Sequence, residues 1–471
     1  MAKESMYNTE EPIERALLVG IDKGDSDLSI DESLAELDRL VTTVGALVVA
    51  SVSQKLKTPN SKTFVGKGKV NEIVGLVRSL EIDVVVFDDE LSPSQQSNLE
   101  HELEKARDDL KVIDRTALIL DIFGLHARSR EGRLQVRLAQ NQYLLPRLRG
   151  MWAHLAAGRM GGGLGSRFGE GESQLEVDRR MIRRRIDNIR SELKKLKADR
   201  ATQRSARLSS GVFKISLAGY TNAGKSTLLN YLTDAQVLAY DKLFATLDST
   251  TRKLKLPDGG EATLTDTVGF IQKLPTTLIE AFRSTLDEIT HADLILHIVD
   301  AASSYREEQK QAVLDVLEQI DAQKVLQIVV YNKIDLLDAG EREALARSNP
   351  GAQFISAVTG EGVSELLSHI QAAMNAASSF MEILLPFDRG QLVSLAHERT
   401  TVVSERYTEF GTRMQLRVPP QLVTNFDPYL VDDASISEQV LNGDEQDTPG
   451  FSGINICAKD LDCDLKAGDV L

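Results

Sequence analysis

The chain has 471 residues, roughly three times the usual domain length, so several cores are expected. Apolar residues make up 42%, yet no apolar run reaches the 18 or so residues of a membrane-spanning helix, which argues against an integral helical membrane protein. The formal charge of −15 argues against a polyanion partner on average, but residues 126–208 carry 20 Lys and Arg against 8 Asp and Glu, while residues 421–471 carry 2 against 11.

The start, Met1-Ala2-Lys3-Glu4-Ser5, runs into acidic residues without the basic-then-apolar order of a secretory signal, so a cytosolic protein is expected. Residues 13–125 alternate two kinds of segment. Ala16–Ile21, Ala46–Ser51, Val84–Phe87 and Ala117–Ile122 are short runs suited to buried strands. Between them, Asp31–Val44, Lys69–Leu80 and Ser94–Ala106 carry helical apolar spacing. This alternation predicts a layered α/β domain.

Residues 126–210 read differently. Leu134, Leu138, Leu145, Leu148, Trp152 and Leu155 fall on one helical stripe, and Leu175, Ile182, Ile186, Ile189, Leu193 and Leu196 on a second. Two such seams predict an antiparallel helical hairpin, with Pro146 kinking or starting its first helix. The glycine-rich stretch 158–171 predicts an irregular tip that carries Arg159, Arg167 and Phe168. With Arg179, Arg183 and Arg184 on the second helix, these residues are candidate RNA contacts, since RNA offers phosphates and unstacked bases. The same pattern also suits a solvated, charged coiled coil.

Residues 213–379 hold the strongest signal. Strand-like Lys214–Ala218 leads into Gly219-Tyr220-Thr221-Asn222-Ala223-Gly224-Lys225-Ser226 and then a helical segment. Strand, G-x-x-x-x-G-K-S loop and helix together predict a P-loop, whose backbone N–H groups cradle phosphates at a positive helix end. Lys225 is expected on the β- and γ-phosphates and Ser226 on Mg²⁺. Asn332-Lys333-Ile334-Asp335 follows the apolar strand Val325–Val330. A carboxylate such as Asp335 can accept from both guanine N1–H and the 2-amino group, donors that adenine lacks there, so the expected base is guanine. Ser356-Ala357-Val358 would supply a backbone contact to guanine O6. Asp266-Thr267-Val268-Gly269 is expected to hold Mg²⁺ through water and to sense the γ-phosphate. Thr246, within Phe244-Ala245-Thr246-Leu247-Asp248, is the candidate second hydroxyl ligand of Mg²⁺. Phe270 stands where a glutamine orients water in Ras-like proteins, which predicts slow intrinsic turnover. Asn222 either holds a monovalent cation such as K⁺ or stabilises the loop.

Residues 380–419 suggest a small α+β domain, and 420–471 an acidic, disordered tail whose Cys457 and Cys463 match no metal or redox spacing. The fold class expected is therefore α/β: a P-loop G domain with a parallel sheet, preceded by an α/β domain with a helical hairpin and followed by a small α+β domain.

These motifs together resemble the HflX family of ribosome-associated GTPases. The resemblance extends to Phe64-Val65-Gly66-Lys67-Gly68-Lys69, Ser92–Glu100, Val112-Ile113-Asp114-Arg115-Thr116 and Gln174–Arg180, and covers about Ile13 to Pro419. It implies a GTPase that binds the large ribosomal subunit and splits or rescues stalled ribosomes, with the hairpin tip entering the peptidyl-transferase region. A protein that is monomeric when free is expected. The sequence departs from the family where the tip reads Arg167-Phe168-Gly169-Glu170-Gly171-Glu172 and where Ser249 replaces a usual proline. A competing reading is an RNA remodeller with a second nucleotide site at Gly66-Lys67-Gly68-Lys69, which lacks the P-loop spacing. A membrane-trafficking GTPase is a third reading, without any lipidation signal in the sequence.

Overall fold

The structure, a computed structural model, describes residues 13–24, 29–157, 168–208, 212–233, 244, 249–258, 260–275, 278, 282–419 and 422–431. At the N-terminus, β1 (Arg15–Asp22), β2 (Leu47–Lys55), β3 (Val84–Phe87) and β4 (Lys111–Asp114) form a parallel sheet in the order β2-β1-β3-β4. The crossovers are α1 (Ile30–Thr43), α2 (Lys67–Ser79) and α3 (Pro93–Leu103). Ser92 starts α3 through a capping box with Gln95.

One expected strand is a helix. Ala117–Ile122 lies inside α4 (Arg115–His126), and the fourth strand is the preceding Lys111–Asp114. The Asp114 carboxylate accepts the Ala117 N–H at 2.8 Å and so turns the chain from strand into helix. Leu118, Ile119, Leu120, Ile122 and Phe123 are all buried, so the helix is apolar nearly all round and shows no amphipathic period.

The hairpin consists of α5 (Arg130–Ala157) and α6 (Phe168–Leu208), and Leu148, Ile182 and Ile186 form its seam, flanked by Leu138 and Leu145. Helix α5 runs through Pro146, which neither starts nor ends it. Helix α6 begins at Phe168, so 168–171 are helical rather than part of the tip. A glycine costs a helix about 1 kcal/mol, too little for Gly169 and Gly171 to end a 41-residue helix. The rest of the expected tip, including Arg159 and Arg167, lies outside the described residues. The root of the hairpin is fastened to the N-terminal sheet by Arg147, which donates to Leu91 O at 2.6 Å, Gln96 Oε1 at 3.0 Å and Asp114 Oδ2 at 3.3 Å.

The next unit is a six-stranded sheet in the order β10-β9-β8-β5-β7-β6. Its strands are β5 (Phe213–Gly219), β6 (Thr250–Lys255), β7 (Glu261–Asp266), β8 (Leu294–Asp300), β9 (Leu326–Asn332) and β10 (Gln353–Phe354). All pairs are parallel except β6 with β7. Strand β8 is buried along nearly its whole length, as a central parallel strand with both faces covered must be. Its helices are α7 (Lys225–Thr233), α8 (Arg283–Thr290), α9 (Arg306–Gln319), α10 (Ala339–Ser348) and α11 (Val363–Ala377). One face of the sheet packs on Leu228, Leu229, Leu366 and Ile370. The opposite side shares a single core with the N-terminal unit, in which Leu37, Ile119 and Phe123 meet Phe244, Phe270, Phe282 and Leu286.

The last unit is the antiparallel sheet β11 (Ser379–Leu385), β12 (Thr401–Thr408) and β13 (Gly411–Val418), covered by α12 (Gly390–Arg399). It continues past Pro419, where the acidic tail was expected to begin. Leu422 and Phe426 are buried in its core, α13 (Val423–Phe426) follows, and the Val431 N–H donates to Glu382 O at 2.9 Å. The sequence signal missed here is small: Leu422 and Phe426 are spaced by one helical turn within a polar stretch. The remaining tail, with both cysteines, lies outside the described residues.

Candidate functional site: a P-loop between two braced loops

Residues 220–224 connect the C-terminal end of β5 to the first turn of α7. Asn222 has φ 62° and Gly224 φ 92°, and these left-handed turns fold the loop back on itself. A Cβ on Gly219 would sit 2.3 Å from Ile298 O, and one on Gly224 would sit 2.2 Å from Asn332 Nδ2. Both positions therefore require glycine. The Lys225 ammonium donates to Gly219 O at 3.0 Å and Tyr220 O at 2.8 Å, so the loop wraps around its own cation. Burial pushes Lys225 down to about 8, against the opposing pull of Asp266.

Asn332, at the end of β9, is 2% exposed. Its amide donates to Ala223 O at 2.9 Å and its carbonyl accepts the Ala357 N–H at 2.9 Å. One side chain thus ties the phosphate-type loop to the Ser356–Val358 loop. Lys333, at φ 68°, turns the chain and pairs with Asp300 at 2.7 Å. Asp335 follows in a 3₁₀ turn (Ile334–Leu336) with an exposed side chain. Ser356 is buried and its Oγ accepts the Thr359 N–H at 3.1 Å, Ala357 is buried, and Val358 is 75% exposed.

Ser226 Oγ donates to Asp266 Oδ2 at 2.5 Å, with the Asp266 side chain fully buried at the end of β7. Thr267 Oγ1 donates to Leu217 O at 2.6 Å, which fixes the turn that presents Val268 and Gly269. A Cβ on Gly269 would approach Thr221 Cα to 3.0 Å and Lys225 Nζ to 3.1 Å, so this backbone lies directly beside the loop. The Phe270 backbone closes the contact: its N–H donates to Gly219 O at 3.1 Å and its carbonyl accepts the Thr221 N–H at 2.7 Å. The Phe270 ring is 1% exposed and belongs to the core, so it presents no polar group to a water molecule. Of the expected switch, only Phe244 is described; it is buried at φ 58° against Phe123, while Ala245, Thr246, Leu247 and Asp248 lie outside the described residues.

Family models divide the chain in the same order. Residues 31–124 match a GTP-binding GTPase N-terminal model, 126–207 a GTP-binding GTPase middle region, 214–333 a 50S ribosome-binding GTPase and 343–429 an HflX C-terminal domain. The GTPase HflX of Escherichia coli (strain K12) is 41% identical over 418 residues, covering 88% of this chain and 96% of that protein. The chain belongs to the HflX family of GTPases. Two further HflX proteins agree: that of Alkalihalophilus pseudofirmus is 43% identical over 84% of this chain and 91% of its own length. That of Caldanaerobacter subterraneus subsp. tengcongensis is 44% identical over 86% and 91%. This HflX-family chain is a GTP-binding protein and a GTP hydrolase.

P-loop GTPases generally use Mg²⁺, and the donors present fit that ion. A hydroxyl and a carboxylate converge at the loop, both hard oxygen ligands, and among the described residues no cluster of three or more His, Cys, Asp or Glu side chains offers a protein-only metal cage. Among the described residues no helix is long and apolar enough to cross a membrane. Of the basic residues singled out on the hairpin, Arg183 and Arg184 are exposed and Arg179 is half-buried. Phe168 is the first residue of α6. Gly66, in the weaker glycine-lysine motif, is the N-cap of α2, and its N–H is taken by Gln54 Oε1 at 2.8 Å.

Sequence reasoning missed the second neighbour of the HflX P-loop. Tyr220, read only as a loop position, buries its ring against the N-terminal unit and donates its hydroxyl to Glu36. A tyrosine inside a G-x-x-x-x-G-K-S loop was a visible signal of an apolar neighbour; nothing in the sequence pointed to Glu36.

Proposed function

We propose that this GTPase binds GTP with Gly219–Ser226 around the phosphates and Asp335 on guanine N1–H and its amino group. Asn332 and Lys333 brace the base-reading loops, Ser356–Val358 borders O6, and Asp266–Gly269 and Phe244–Asp248 act as the switches. The single observation supporting this reading is the Asn332 amide, which links the phosphate-type loop to the base-reading loop at 2.9 Å on each side. Ser226 and Thr246 would hold Mg²⁺ directly and Asp266 through water; the ion would neutralise charge on the β- and γ-phosphates. Asn222 would hold K⁺, adding positive charge near the β–γ bridge. The working division of the chain is 13–125, 126–210, 213–379 and a C-terminal unit from 380 that runs to 431.

The larger role we propose is association with the large ribosomal subunit and separation or rescue of stalled ribosomes. The support is the net +12 of residues 126–208 within a chain of −15, and the description of the model matched by 214–333. Arg179, Arg183 and Arg184 would attract rRNA phosphate, and Arg159, Arg167 and Phe168 would contact unpaired bases. The Arg147 anchor makes the hairpin move with the N-terminal sheet, so a shift of the shared core can tilt it. Light scattering of intact ribosomes mixed with protein and GTP tests this. The parent should lower the scattering, and a variant with 158–171 replaced by a short neutral linker should bind GTP without doing so. Equal separation by both would reduce the hairpin to a spacer.

A further inference from the structure

The N-terminal unit and the GTPase unit meet over a buried polar network that phosphate and base recognition leave unused. At its centre, Arg115 is 1% exposed and donates to Asp88 Oδ1 at 2.7 Å and to the Glu36 carboxylate. Ser33 Oγ donates to Asp88 Oδ2 at 2.6 Å. From the GTPase unit, Lys273 pairs with Asp88 and, at 3.4 Å, with Asp89, which also holds Lys23 at 3.1 Å. Three cations face three carboxylates. Burial raises the Asp88 carboxyl, but Arg115 and Lys273 outweigh it and hold the group below its usual range.

Tyr220 joins this network to the nucleotide site. Its hydroxyl donates to Glu36 and accepts the Gln272 N–H at 2.9 Å, while its own carbonyl accepts the Lys225 ammonium at 2.8 Å. One residue therefore touches the lysine of the phosphate loop, the segment after Gly269 and the N-terminal unit. Lys273, next in that segment, sits at φ 53°, a left-handed conformation that a lysine holds only when something outside fixes it. Its ion pair with Asp88 does so. A buried network of this kind does not deform gradually, because a half-paired charge in the interior is far costlier than a fully paired one. A shift of the Gly269–Lys273 segment must therefore be matched at Glu36 and Arg115.

We propose that the Tyr220 hydroxyl is the contact through which the GTPase site and the N-terminal unit read one another's state, with Glu36 and Arg115 as positioning residues acting through it. Coupling of this kind is reciprocal: what GTP does to the N-terminal unit, a change in that unit does to GTP binding. This goes beyond the GTPase activity and does not depend on the ribosome.

The test uses the full chain and hydrogen exchange of α1 and α4, with GDP or a non-hydrolysable GTP analogue bound. In the parent, the two nucleotides should give different exchange protection in Ile30–Thr43 and Arg115–His126. Tyr220→Phe, which removes one oxygen and keeps the packed ring, should erase that difference. Glu36→Gln, outside the phosphate loop, should erase it too while GDP affinity stays within about twofold, and the double variant should match either single one, because both act through one contact. Lys273→Met leaves Asp88 its Arg115 and Ser33 partners and should weaken the difference, with a loss of stability that the unfolding midpoint reads. Cooperative thermal unfolding of each variant establishes that it is folded. No nucleotide-dependent protection in the parent, or its persistence in Tyr220→Phe, would reduce the network to ordinary domain packing and overturn the proposal.

Discussion

Replacing Asn332 with alanine removes two hydrogen bonds at once and leaves their partners where water cannot reach them. Asn332 is 2% exposed, and its amide serves the Ala223 carbonyl and the Ala357 N–H, each at 2.9 Å. A buried backbone group left unsatisfied costs about 1–3 kcal/mol, so the pair predicts a loss of roughly 2–6 kcal/mol. Relaxation of the exposed end of the Ser356–Val358 loop would bring the figure toward the lower bound. The loss divides between global stability and the ordering of the two loops around the nucleotide. Every 1.4 kcal/mol or so that falls on loop ordering lowers GDP affinity about tenfold. Urea unfolding with and without GDP separates the two shares, since the ligand stabilises only the native state. Asn332→Ala with parental unfolding midpoint and parental GDP affinity would show that these loops are positioned by something else, and the brace argument would fail.

Two further outcomes follow from the site. Lys225 has its folded-state value depressed to about 8, and bound phosphates must raise it again, so nucleotide binding takes up a proton above that pH. GDP affinity should therefore fall by up to about tenfold per pH unit as pH rises past 8, and calorimetry in buffers of different ionisation enthalpy should register the uptake. In the free protein the same depression makes stability rise with pH between about 8 and the ordinary lysine value, because the unfolded chain binds more protons there. Flat affinity from pH 7 to 9 would mean that Lys225 is charged throughout. Asp335→Asn should exchange a guanine preference for a xanthine one, and competition between GTP and XTP for the variant checks it; unchanged GTP affinity removes Asp335 from base reading.

The nucleotide-type loops were legible because their chemistry is local. Gly219–Ser226 and Asn332–Asp335 each carry their geometry in consecutive residues, and the glycines fall where a Cβ would strike Ile298 O or Asn332. What stayed hidden was set by distant partners. Ala117–Ile122 reads as a strand because the exposed face of its helix carries Gly124 and Leu125 beside Asp121, too few polar residues to betray the helical period. Leu422 and Phe426 find a core only once β11 and β13 are folded beneath them. The Tyr220–Glu36 contact joins positions 184 residues apart, and no local pattern marks either as a partner of the other.

The aromatic cluster around Phe123 has a bearing on how this chain can be dissected. Phe123 sits edge-on to Phe244 at 4.6 Å and to Phe282 at 4.8 Å, so the N-terminal unit supplies one wall of the pocket in which these two rings of the GTPase unit rest. Cutting the chain before Phe213 would remove that wall and open Phe244, Phe270 and Phe282 to solvent. The excised piece would keep every sequence motif of a GTPase and yet lack half of the core against which its own aromatic rings pack. Rates measured on it would describe the excision as much as the enzyme.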